Sequence, residues 1–82
     1  MNQKIKQAIL KALLACDGVP MPESALISGV ENMLSRDLPT KKEIGTGINQ
    51  LYSAQLLIGA ADEITGTSWA LTTAGNIKAR QL

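Results

Sequence analysis

The sequence has no histidine, no phenylalanine and one cysteine in 82 residues. Without histidine, the Ser–His and Cys–His pairs that activate a nucleophile cannot form within this chain. A lone Cys16 cannot make an internal disulfide, and Cys-rich metal sites are excluded. Tyr52 and Trp69 are the only aromatics, so a core must be built from Leu, Ile, Val, Ala and Met. No uninterrupted apolar run resembles a signal peptide or reaches membrane-spanning length. The expectation is a cytoplasmic protein with no membrane association. A strong basic excess is also lacking. The net charge of +1 argues against non-specific phosphate binding as the main activity, but a local basic patch stays compatible with it.

What is present is enough apolar residue for one domain. The hydrophobic fraction is 45%, which excludes global disorder. The length suits a single domain over residues 1–82, with a folding stability on the order of 4–12 kcal/mol.

The apolar periodicity divides the chain. Residues 2–16 form an amphipathic helical pattern, with Ile5, Ile9, Ala12, Leu13 and Cys16 on one face. Leu10 and Leu14 fall outside that stripe, and Asp17-Gly18 is a helix stop. Val19-Pro20-Met21 is a short extended piece, and Pro22 suits the first position of a second helix. That helix, over 22–34, carries Leu26, Ile27, Val30, Met33 and Leu34. After a polar turn at 35–39, Thr40-Lys41-Lys42-Glu43 has the capping-box pattern of a third helix. Ile44, Ile48, Leu51 and Gln55 share its apolar face. Gly45 and Gly47 lower helix propensity by roughly 1 kcal/mol each, yet cap and stripe agree. A period-two pattern then predicts a hairpin that turns at Thr65-Gly66-Thr67, with Trp69 at least partly buried. Thr72 or Thr73 caps a last short helix containing Ala74, Ile77 and Leu82.

Two local patterns sharpen this order of helix, extended piece, helix, turn, helix, hairpin, helix. The stretch from Ile48 to Leu57 ends the third helix with an aliphatic residue, a Leu three positions later and an apolar exit. Trp69-Ala70-Leu71-Thr72-Thr73-Ala74-Gly75 has the form aromatic-x-Leu-Thr-x-x-Gly. On these residues the chain resembles the winged helix-turn-helix superfamily over nearly its whole length. The resemblance implies an α+β, mostly helical fold: a three-helix core, a β-hairpin wing and a short last helix. It departs from the pattern at Gln55, where glycine is common. The wing, Asp62 to Thr67, carries two acids and no base.

The resemblance also implies that the third helix enters the major groove of double-stranded DNA, which is wide enough to admit it. Opposite its apolar stripe lie Lys42, Thr46, Asn49 and Ser53, with Gln50 beside them. Asn and Gln can pair bidentately with adenine, and Thr and Ser can reach bases or phosphates. Lys41, Lys42 and Arg36 are candidates for phosphate. The plain alternative is a solvated polar face. For Lys4, Lys6 and Lys11 on the first helix the solvated face is the better expectation.

Two functions stay open. One is a small DNA-binding regulator of transcription, or an accessory protein of a mobile element. The other is a winged-helix protein-interaction module, which the near-neutral charge and acidic wing favour. No enzyme activity and no cofactor are expected. Asp62 and Glu63 are adjacent in a strand and would point apart, and Gly45-Thr46-Gly47 lacks the strand and the Gly-Lys ending of a phosphate loop. A homodimer through Leu10, Leu14, Ile77 and Leu82 is one use for the spare aliphatic surface. The other is that the last helix covers Leu10 and Leu14 within one chain.

Overall fold

The computed structural model describes residues 3–16, 19–36, 39–64 and 66–81, with Asp62 described by its backbone alone. Among the described residues, four helices and three short strands make an α+β, mostly helical fold. In chain order they are α1 (Gln3–Ala15), β1 (Met21–Pro22), α2 (Glu23–Met33), α3 (Lys41–Ser53), β2 (Leu57–Asp62), β3 (Gly66–Leu71) and α4 (Thr73–Arg80). The strands form one antiparallel sheet in the order β1-β3-β2.

The first helix is the centre of the packing, because α2, α3 and α4 all lie against it. Its buried face is therefore broader than a single stripe: Ile5, Ala8, Ile9, Leu10 and Leu13. Ala12 and Leu14 are partly buried against the same core, and Cys16 is half-buried, its thiol donating to the Ala12 carbonyl at 3.5 Å. Leu10, which the periodicity leaves outside the stripe, is only 3% exposed. Three packing partners require more apolar positions than one amphipathic face supplies. Ile9, Leu26, Val30, Ile44 and Ile48 are the largest fully buried side chains, each contributing about 1.5–3 kcal/mol of burial. The expected helix stop at Asp17-Gly18 lies outside the described residues.

The second helix starts one residue later than the proline suggests. Pro22 ends β1 and occupies the N-cap, with no side-chain cap hydrogen bond. Leu26 and Val30 are buried, while Met33 is 48% exposed. The start of α3 is as the sequence predicts. Glu43 donates its backbone N–H to the Thr40 hydroxyl at 3.1 Å, and the Thr40 N–H donates to the Glu43 carboxylate at 3.2 Å. Ile44, Gly47, Ile48 and Leu51 form its buried face. The absence of a side chain at Gly47 sets the helix spacing. A Cβ there would meet Ile5 Cγ2 at 3.0 Å and Ile9 Cδ1 at 3.2 Å.

Gln55 does not share that face. It lies beyond the helix with φ 64° and is exposed. The N–H of Leu56 donates to the Leu51 carbonyl and that of Gln55 to the Tyr52 carbonyl, both at 3.0 Å. This pair of bonds is a Schellman stop, which needs a left-handed residue at the position Gln55 fills. The β2–β3 hairpin pairs Leu57 with Leu71 and Asp62 with Gly66. Gly66 therefore opens β3 at φ 81° rather than sitting inside the turn, and Thr65 lies outside the described residues.

Trp69 ties sheet to helices. It pairs with Met21 on one side and Gly59 on the other, and is 8% exposed. Its Nε1–H donates to Glu23 Oε1 at 3.4 Å, and its ring meets Tyr52 edge-on at 5.5 Å between centroids. Thr72 is the cap of α4. Its hydroxyl accepts from Gly75 N–H at 3.0 Å and donates to the Gln55 carbonyl at 2.7 Å. Gly75 is pressed against the Leu56 carbonyl, leaving no room for a Cβ.

Candidate nucleic-acid interface

Burying Ile44, Ile48 and Leu51 turns the opposite face of α3 to solvent. Lys42, Thr46, Asn49 and Ser53 are all exposed there, spaced three or four residues apart. Lys41 is exposed in the first turn, and Arg36 is exposed in the turn after α2. The Thr46 hydroxyl donates to the Lys42 carbonyl at 2.9 Å, so it faces outward as an acceptor and a methyl group. The positive end of α3 already has an anion beside it. The Glu43 carboxylate accepts from both the N–H and the hydroxyl of Thr40, so a phosphate would meet a negative charge at that end.

Gln50 is placed differently from its neighbours. It is half-buried on the flank of α3 that faces α1, and its Oε1 is covered and has no hydrogen-bond partner. A hollow of about 260 Å³ there is lined by Ile5, Lys6, Lys42, Glu43, Thr46, Gly47 and Gln50. Lys6 thus joins the α3 residues, which periodicity alone did not single out. Lys4 and Lys11 instead line a separate hollow with Met33 and Leu34 of the α2 side. Lys4 and Lys6 are two positions apart, about 200° around a helix, and that separation is the signal that distinguishes them.

On the other flank of α3, Tyr52 and Ile58 are 52% and 58% exposed and line a hollow with Ser53, Gln55 and Thr72. Neither was a candidate from sequence. Glu63 is exposed at the hairpin turn and Ile64 is 94% exposed. No Lys or Arg lies between residues 57 and 77.

Of the residues expected at a dimer interface, Leu10 is not at the surface. Leu10 is inside the chain's own core and offers nothing to a second copy. Leu14 is half-buried against that core, Ile77 is 56% exposed, and Leu82 lies outside the described residues.

Among the described residues no helix is long and apolar enough to cross a membrane. Comparisons with known protein families, with curated proteins and with solved structures find no significant match.

Proposed function

We propose that this chain is a winged helix-turn-helix protein that contacts duplex DNA through α3. The observation that carries the proposal is the outward face of α3, where Lys42, Thr46, Asn49 and Ser53 stand exposed in a row. The face combines a cation for phosphate with amide and hydroxyl groups for base edges. The order of elements and the sheet order β1-β3-β2 support the winged-helix assignment. In this reading α3 lies in the major groove, Asn49 reads a base, and Lys42, Lys41, Lys6 and Arg36 meet phosphates. The hairpin adds no cation, since it has no Lys or Arg. The protein is a binding protein of the cytoplasm, a regulator of transcription or an accessory of a mobile element, and not an enzyme.

The exposed Ile64 and Glu63 on the hairpin turn, with Tyr52 and Ile58 nearer α3, favour a second reading. That reading is a protein-interaction module that presents the wing. Titration of mixed-sequence duplex DNA at two salt concentrations separates the two. Salt-sensitive binding supports DNA contact, and no binding at low salt, where electrostatic affinity is greatest, removes it.

A further inference from the structure

We propose that the trough between α1 and α3 binds a small organic carboxylate that has an apolar body and one hydrogen-bond donor. The trough follows from the packing. Gly47 brings α1 close to α3, and the flank of α3 running through residues 42, 46, 50 and 54 is left open beside that contact. The 260 Å³ hollow adjoins a second of about 300 Å³, lined by Gln3, Lys6, Gln7, Leu10, Gln50, Leu51, Ala54, Leu56 and Lys78. Lys6 and Gln50 line both hollows and form the wall between them. These volumes sit near the lower end of small-molecule sites, about 300 Å³.

The lining defines the ligand. Lysines stand at both ends and in the middle: Lys42, Lys6 and Lys78. The one carboxylate in the lining is Glu43, which Thr40 already engages. An anion is therefore favoured, and a lone Lys6 ammonium in the middle suits a carboxylate. Most of the surface exposed in the two hollows is carbon, with half-buried Leu56 among it and the core side chains Ile5, Leu10 and Leu51 beneath, and inorganic phosphate or a nucleic-acid backbone would leave that carbon surface uncovered. Gln50 Oε1 supplies the third requirement. It is buried without a partner, and a ligand that spans both hollows displaces the Lys6–Gln50 wall and gives this acceptor a donor. The site stands on its own. Its regulatory consequence rests on the DNA reading: a ligand here covers Lys42 and Thr46 and competes with DNA.

The test is an amide-resonance titration of the whole chain with three probes. Indole-3-acetate has the anion, the apolar body and the N–H donor. Naphthalene-1-acetate lacks the donor, and indole-3-ethanol lacks the charge. Indole-3-acetate should shift Lys6, Gly47 and Gln50 saturably with a Kd under about 1 mM, and each of the other two should bind about tenfold more weakly. Lys6→Met and Lys6→Gln should each weaken indole-3-acetate by about tenfold. Gln50→Leu should abolish the preference for indole over naphthalene. No saturable shift up to about 5 mM, shifts centred elsewhere, or unchanged binding by both Lys6 variants overturns the site. If duplex DNA fails to bind while indole-3-acetate shifts these residues, the DNA reading falls and the ligand site stands. If duplex binds but the ligand titration is silent, the reverse holds.

Discussion

The hydroxyl of Thr72 donates to the carbonyl of Gln55 at 2.7 Å, joining the end of α3 to the start of α4 across the whole hairpin. The same hydroxyl accepts from Gly75 N–H, and Thr72 N–H donates to the Leu56 carbonyl at 3.1 Å. Thr72→Val keeps the shape and removes both hydroxyl bonds. It should cost about 1–3 kcal/mol in denaturant unfolding. Gln55→Gly should act in the opposite direction and stabilise by about 0.5–1 kcal/mol, because a left-handed residue is required there and glutamine adopts that conformation at a cost. Equal stability of wild type and Thr72→Val would break the proposed link.

Gly59 leaves the space that the Trp69 ring fills. A Cβ at Gly59 would lie 2.8 Å from Cζ3 of the indole. The ring is held by Glu23 and by the edge contact with Tyr52, so it has little freedom to move away. Gly59→Ala should destabilise by about 1–3 kcal/mol and red-shift Trp69 emission. A variant with native emission and native stability would show that the ring can move after all.

Thr40→Ala should cost about 1 kcal/mol, read from the midpoint of chemical unfolding with an unchanged slope. The Glu43 side chain loses its hydroxyl partner but keeps the Thr40 N–H, so the loss is that of a cap and not of the helix.

These three sites differ in how legible they were in the sequence. The capping box could be placed in advance because its bonds join residues three apart, and local spacing fixes them. The order of helices and hairpin followed from periodicity for the same reason. Periodicity leaves Leu10 open between an interface and cover within one chain, and its burial comes from α1 packing against α2, α3 and α4 together, which no local spacing reveals. At Gln55 the helical period continues without a break, and only the family pattern, in which glycine is common there, points to a left-handed residue. The outward face of α3 could be read from the sequence as the complement of the core stripe. Lys6 and the hollow it shares with Lys42 could not, because that needs the rotation of α1 against α3, which Gly47 sets through contact with Ile5 and Ile9.

Burial separates Leu10 from Ile77 as positions for an interface. Leu10→Glu places a carboxylate in a site 3% exposed and should unfold the chain, since the cost is comparable to its total stability of roughly 4–12 kcal/mol. Ile77→Glu, at a position 56% exposed, should leave circular dichroism unchanged. If Ile77 joins two copies, sedimentation of that variant will show a lighter species than wild type. A folded Leu10→Glu chain would contradict the burial of Leu10 in the core.

The DNA proposal predicts different effects for two residues on one face. Lys42 offers a charge and no directional pattern, so Lys42→Ala should weaken all duplexes alike and reduce the salt slope by about one. Asn49 offers a donor and an acceptor, so Asn49→Ala should lower affinity for a preferred site by about 1–3 kcal/mol and leave other sequences little changed. Lys6, Lys41, Lys42 and Arg36 are the nearby cations, and the hairpin adds none. A monomer should therefore neutralise only about three or four phosphates, giving a shallow salt dependence. Fluorescence anisotropy with a selected duplex and a scrambled one, each at two salt concentrations, measures all three quantities. Equal losses on both duplexes for Asn49→Ala would deny that α3 reads bases. A steep salt slope that Lys42→Ala leaves unchanged would place the phosphate contacts elsewhere on the molecule.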